Sequence, residues 1–95
     1  MHGYTAAMPG AIELVSYPNP FNPTTVFRYV LPEGTTVRLS VYDVLGREVA
    51  RLVDGRQVAG QHEITFDGSR LTSGIYVCSL EAFDNLLNGT VLLVK

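Results

Sequence analysis

The residues of this 95-residue chain that could act as acids, bases or nucleophiles are few and do not converge in the sequence. The two histidines are His2 and His62, and the single cysteine is Cys78. Nucleophilic catalysis needs a nucleophile, a base and an orienting group held together, and no serine or cysteine here has such a context. His62 shares the apolar face of its strand with Ile64 and Phe66, which favours a histidine in the core or at its rim over a catalytic base.

Four aspartates lie at strand ends or turns, where carboxylates commonly bond nearby backbone amides. They are Asp43, Asp54, Asp67 and Asp84. A calcium site built from two of these loops is an alternative, but the Asp-x-Asp-x-Asp-Gly spacing of calcium loops is absent. The sequence also has no zinc-type Cys/His cluster and no glycine-rich phosphate loop. We therefore predict no metal, no cofactor and no enzymatic activity.

The composition excludes further classes of partner. The formal net charge is −2 and the seven cationic residues are scattered, so we expect no nucleic-acid surface. The chain lacks the run of about 18–20 apolar residues that a transmembrane helix needs. Because Cys78 is the only cysteine, an internal disulfide is excluded, and we expect a small buried hydrophobe within a strand.

Apolar and polar residues alternate along most of the chain, and this pattern predicts the strands that position the side chains named above. Val37, Leu39 and Val41 share one face of a half-buried strand, and residues 61–67 show the same period of two. Turn residues separate such runs, which indicates an antiparallel β-sandwich with a hairpin through Asp43–Gly46. The predicted strands are 12–17, 24–31, 36–43, 47–53, 60–67, 74–82 and 89–95, with turns that include Asp54-Gly55 and 85–89.

The segment Tyr17-Pro18-Asn19-Pro20-Phe21-Asn22-Pro23 is the most unusual part of the chain and holds three of its five prolines. Each proline fixes its own φ, removes a backbone donor and favours extended geometry in the residue before it. The segment is therefore predicted to be neither a helix nor an inner strand, but a rigid lead into the strand at Thr24. It either steers the chain between sheets or forms a contact surface.

The order of four motifs carries a family resemblance. Pro18-Asn19-Pro20 precedes Tyr42-Asp43-x-x-Gly46, then Gly74-x-Tyr76, then an apolar run that ends at Lys95. In this order the chain resembles the C-terminal sorting domain, of type A, of proteins exported by the type IX secretion system. It is similar, more distantly, to the immunoglobulin-like domain of the flagellar hook-capping protein. The resemblance implies an all-β, immunoglobulin-like antiparallel β-sandwich of about seven strands over residues 12–95, with residues 1–11 as a linker or an added leader.

The resemblance also implies a function. A domain of this family is a non-catalytic sorting signal at the end of a secreted protein. The type IX translocon recognises it, and a surface sortase often cuts the protein just upstream of it. The implied partners are therefore the translocon, the sortase and an N-terminal passenger domain. The implied location is secreted or cell-surface, outside the outer membrane of a Gram-negative bacterium and reached through the periplasm. The residues carried over by position are Pro18, Asn19, Pro20, Tyr42, Asp43, Gly46, Gly74, Tyr76, Val91, Leu93 and Lys95.

Two questions remain open at the level of sequence. Gly74 and Tyr76 serve either the fold or recognition, whereas the terminal strand at residues 90–95 is expected at a sheet edge, where partner strands can add. We therefore predict docking of the secretion machinery there. The family often carries lysines before this run, but this chain has Asn88-Gly89-Thr90. That the chain stops at Lys95, directly after an apolar strand, is what a sorting signal at a protein C-terminus leads us to expect.

Two other classes of function compete with a sorting signal. The first is an accessory carbohydrate-binding module of a secreted enzyme such as a glycoside hydrolase, for which Tyr42 on a polar strand face is the best candidate side chain. The sequence places Phe66 and Tyr76 in the core instead, because of their alternation. The second alternative is a structural immunoglobulin-like spacer.

Overall fold

The computed structural model describes residues 4–7 and 13–95, and the described residues form eight β-strands. In chain order these strands are β1 (Tyr4–Ala7), β2 (Glu13–Tyr17), β3 (Thr24–Leu31), β4 (Thr35–Tyr42), β5 (Glu48–Gln57), β6 (Gly60–Asp67), β7 (Gly74–Ala82) and β8 (Asn85–Leu93). The seven strands predicted from the sequence correspond to β2–β8. The short β1 lies within the segment assigned to a linker, pairs with β2 and approaches β8.

The strands form two four-stranded antiparallel sheets, in the orders β1-β2-β3-β6 and β5-β4-β7-β8. This confirms the predicted immunoglobulin-like sandwich. In constant-type immunoglobulin domains the fourth strand joins the first sheet. Here the equivalent strand, β5, stays beside β4, because the tight turn between them makes the two strands a hairpin.

Two predicted turns are wrong. Asp54-Gly55 lies inside β5, which continues to Gln57 with Gly55 paired to Val37. Residues 85–89 belong to β8, and the actual turn between β7 and β8 consists of Phe83 and Asp84, with φ of 54° and 59°. A hairpin with a two-residue turn of this type needs positive φ at both turn residues. Phenylalanine rarely adopts positive φ, so its presence did not indicate the turn.

The core fills the space between the inner faces of the two sheets. Within it the ring of Phe66 packs between those of Phe21 and Phe27, with centroids 6.0 Å and 5.9 Å away. Phe66 and Tyr76 are buried, as predicted from their alternation, and Cys78 is buried as well. Burial raises the pKa of the Cys78 thiol to about 12, so this side chain is a packing residue rather than a nucleophile.

His62 lies at the rim of the core, as its alternation predicted. Its ring stacks on the buried ring of Tyr29, with the centroids 5.2 Å apart, and its Nε2 is 2.8 Å from the carbonyl oxygen of Val58. Both contacts are structural, and they account for the half-buried position of the imidazole.

Candidate functional site

The first and last motifs of the chain meet at the outer edge of β8. The Nδ2 of Asn19 donates to the carbonyl oxygen of Thr90 at 3.0 Å, and the backbone nitrogen of Leu92 donates to Asn19 Oδ1 at 3.0 Å. A carboxamide offers one donor group and one acceptor, like a peptide unit. The Asn19 side chain therefore takes the place of a neighbouring strand at this point.

Phe21 continues the same contact with its backbone. Its nitrogen donates to the oxygen of Leu92 and its oxygen accepts from the nitrogen of Val94, both at 2.9 Å, which makes a parallel bridge opposite Leu93. We call these four hydrogen bonds, from the Asn19 side chain and the Phe21 backbone to residues 90–94, the edge clamp. β8 is the last strand of its sheet, as predicted, but the expected open edge at residues 90–94 is closed by the chain itself.

The proline-rich segment that carries the clamp is anchored on both sides. The buried Thr25 hydroxyl donates to the carbonyl oxygen of Pro18 at 2.8 Å and also hydrogen-bonds Ser16 Oγ at 3.1 Å. The backbone nitrogen of Gly68 donates to the carbonyl oxygen of Pro23 at 2.8 Å. Between these anchors the segment is neither helix nor inner strand, which confirms the prediction from its prolines.

The second motif builds the turn between β4 and β5. Asp43 Oδ1 accepts from the backbone nitrogens of Leu45 (2.9 Å) and Arg47 (3.0 Å), and Oδ2 accepts from Arg47 Nε at 2.7 Å. The backbone and side-chain donors of Arg47, with the amide of Leu45, hold the pKa of Asp43 below its usual value. Gly46 has a φ of 83°, which a glycine adopts without strain. The predicted hairpin is confirmed.

The third motif opens β7 and anchors it to the preceding loop. Gly74 has a φ of 153° and pairs with Leu93, and the buried Tyr76 donates its hydroxyl to the carbonyl oxygen of Thr72 at 2.6 Å. β7 is the sixth of the seven strands β2–β8, and Tyr76 lies near its start. A tyrosine at this place that bonds the backbone just upstream is known as the tyrosine corner of immunoglobulin-like domains. The contacts of Gly74 and Tyr76 are therefore contacts of the fold.

The terminal residues divide into a buried and an exposed set. Val91 and Leu93 point into the core, whereas Leu92 and Val94 are partly exposed. Lys95 bonds the loop between β6 and β7, with its Nζ 2.6 Å from the Ser69 carbonyl oxygen and its backbone nitrogen 3.0 Å from Ser73 Oγ. The structure thus brings the first, third and fourth motifs together, while Tyr42-Asp43-x-x-Gly46 forms a neighbouring turn at the same end of the sandwich.

Of the other three aspartates, Asp67 and Asp84 lie at a strand end and a turn as predicted, but the prediction is wrong for Asp54. Asp67 Oδ1 accepts from the backbone nitrogen of Ser69 at 2.9 Å, and this bond lowers the pKa of Asp67, whereas Asp54 lies within β5 and pairs with Arg51 at 3.3 Å. Within residues 4–7 and 13–95, no three His, Cys, Asp or Glu side chains come together as metal ligands. The same part of the chain contains no helix long and apolar enough to cross a membrane.

The sandwich topology and the tyrosine corner define the class of this protein as an immunoglobulin-like domain. Comparison with protein families is more specific, because the model of the secretion system C-terminal sorting domain matches residues 15–92. The match spans most of the chain, so the chain belongs to this family, as the order of its motifs predicted. Comparisons with curated proteins and with solved structures give no significant match.

Membership of the family identifies the domain as a C-terminal sorting signal of type IX secretion. Sorting domains of this family are generally non-catalytic, and they belong to secreted or cell-surface proteins that interact with the secretion system. The matched residues include the Asn19 half of the edge clamp with both of its partners, Thr90 and Leu92.

Proposed function

We propose that this domain directs a passenger, joined to its N-terminal side, through the outer-membrane translocon of the type IX system. A surface sortase then cuts upstream of the sandwich and leaves the passenger attached to the cell surface or released. In this role the domain catalyses no reaction and binds no cofactor. The observation that carries the proposal is the family match over residues 15–92.

We further propose that the motif residues contribute to recognition mostly through the fold. Tyr76, Val91 and Leu93 are buried, so a partner that meets the folded domain cannot contact their side chains. The Asp43 side chain hydrogen-bonds within its own turn, and the Asn19 side chain hydrogen-bonds to β8. Changes at these positions are therefore expected to act through the stability and shape of the domain, which must present its exposed residues to the translocon.

The test is export of a reporter fused upstream of the whole chain. We expect the reporter in the medium or on the surface of a bacterium with the type IX system, and in the periplasm of an isogenic strain without the translocon. Deletion of residues 91–95 is expected to stop export, because it removes Val91 and Leu93 from the core and three of the four hydrogen bonds of the clamp. Equal export from both strains, or undiminished export after the deletion, would contradict the proposal.

A further inference from the structure

The turn between β4 and β5 exposes two aliphatic side chains that the fold does not use. Val44 and Leu45 are 72% and 75% exposed, whereas the turn itself is made by Asp43 and Gly46. Turn positions of this kind usually carry polar residues, because the side chains point into water. A valine and a leucine at the tip therefore call for an explanation outside the fold.

These two side chains belong to a larger apolar surface. Val44 and Leu45 line one cleft together with Ile75, which is half exposed at the start of β7. Ile75 pairs with Leu92 of β8, which extends the surface to the strand that the clamp closes. We call Val44, Leu45, Ile75 and Leu92 the hairpin-end patch.

Three cationic side chains lie around the patch, one of which, Arg47, is ion-paired with Asp43 but stays 73% exposed. Arg47 and Arg70 line the same cleft, and Lys95 Nζ lies on the nearby loop at Ser69. The nearby carboxylates are engaged within their own turns, Asp43 with backbone amides and Arg47, and Asp67 with the Ser69 nitrogen. An apolar patch flanked by arginines fits a partner that presents apolar side chains beside carboxylates.

We infer that the hairpin-end patch is the surface by which the folded domain docks on the secretion machinery, at a site with apolar side chains rimmed by Asp or Glu. The inference rests on the proposed function and names its contact surface. The partner meets exposed side chains at the end of the sandwich, and the backbone edge of β8 at residues 90–94 stays closed during docking.

Two variants separate this role from a role in the fold. The double variant Val44→Ser/Leu45→Ser removes the exposed tip, and Val58→Ser is its matched control, because Val58 is 73% exposed at the opposite end of the sandwich. Both variants are expected to unfold in urea within experimental error of the parent. In the export assay the double variant is expected to lose about tenfold or more of the secreted reporter, as loss of an interface anchor does, while Val58→Ser matches the parent.

A charge test uses the same design. Arg70→Glu is expected to reduce export severalfold, whereas Arg56→Glu, an exposed arginine near the opposite end, is expected to leave it unchanged. Parental export by both Val44→Ser/Leu45→Ser and Arg70→Glu would overturn the inference while the proposed function stands. Equal losses in the test and control variants would overturn it as well. An unmutated fusion that is not exported would overturn the proposed function, and the inference with it.

Discussion

The ring of Phe21 lies directly against Gly68. A β-carbon built on Gly68 would be 3.2 Å from Phe21 Cε2, 3.2 Å from Leu93 Cδ2 and 3.4 Å from the carbonyl oxygen of Pro23. Phe21 and Leu93 are both buried, so neither side chain can move aside into water. Gly68 is therefore required by close packing under the edge clamp rather than by a special backbone conformation.

Gly68→Ala is expected to lower the free energy of unfolding by about 1–3 kcal/mol, the usual cost of forcing an extra methyl into a packed region. Urea denaturation measures it. Gly34→Ala is the matched control, because its new methyl would meet chiefly the mobile end of the Arg56 side chain, with Nη2 at 3.2 Å. If the two alanine variants are equally stable, the packing argument at Gly68 is wrong.

Asn19→Ala is expected to open the Asn19 half of the clamp. It removes two hydrogen bonds, to Thr90 and Leu92, with a cost of about 1–2 kcal/mol of stability. Amide hydrogen exchange should accelerate at Leu92, whose donor loses its acceptor. Asn22→Ala, in the same segment but exposed, is the control and should leave that amide protected. Unchanged exchange at Leu92 in Asn19→Ala would show that the Asn19 half of the clamp contributes nothing in solution.

Tyr76→Phe is expected to cost about 1–2 kcal/mol, because the ring stays buried while the Thr72 carbonyl loses its donor. Thermal unfolding should shift down by several degrees, as about 1 kcal/mol shifts the midpoint of a domain this size by roughly 4–8 °C. The same change at Tyr17, whose side chain is largely exposed, should leave the midpoint in place. Equal midpoints for the two variants would exclude a stabilising tyrosine corner.

The stability of the domain is expected to fall in acid through Asp43 and Asp67. Folding lowers the pKa of both carboxyls from the ordinary 3.8, so both stabilise the fold fully above that pH. This stabilisation is lost as the pH falls through their folded-state values. The melting temperature of the parent should therefore drop more steeply below about pH 4 than that of Asp43→Asn/Asp67→Asn. Parallel curves from pH 7 to 2 would disprove the linkage.

Local chemistry explains which elements could be predicted from the sequence. Alternation located the strands, and an aspartate followed three residues later by a glycine located the turn at Asp43–Gly46. The turn at Phe83-Asp84 was missed because a bulky residue such as phenylalanine rarely adopts positive φ, although aspartate does so more often. The continuation of β5 through Gly55 was missed because a glycine within a strand resembles a turn signal.

The edge clamp could not be predicted from the sequence for a different reason. Asn19 is separated in sequence from its partners Thr90 and Leu92 by 71 and 73 positions. The interaction therefore depends on where Asn19 lies after both sheets have formed. The prolines around Asn19 indicated a shaped segment but not its partner. Val44 and Leu45 were visible in the sequence as apolar turn residues. Their exposure indicated a contact surface only after the structure showed that the turn needs neither side chain.

The span of the clamp has a consequence for when the domain can form. Native contacts between distant parts of a chain are slow to form, because the intervening loop must first be closed. Asn19 and Phe21 find their acceptors and donors only after residues 90–94 exist, so a polypeptide interrupted before Thr90 cannot close this sandwich. The domain can therefore fold only after translation has passed β8, so a folded sandwich shows that synthesis of this strand is complete.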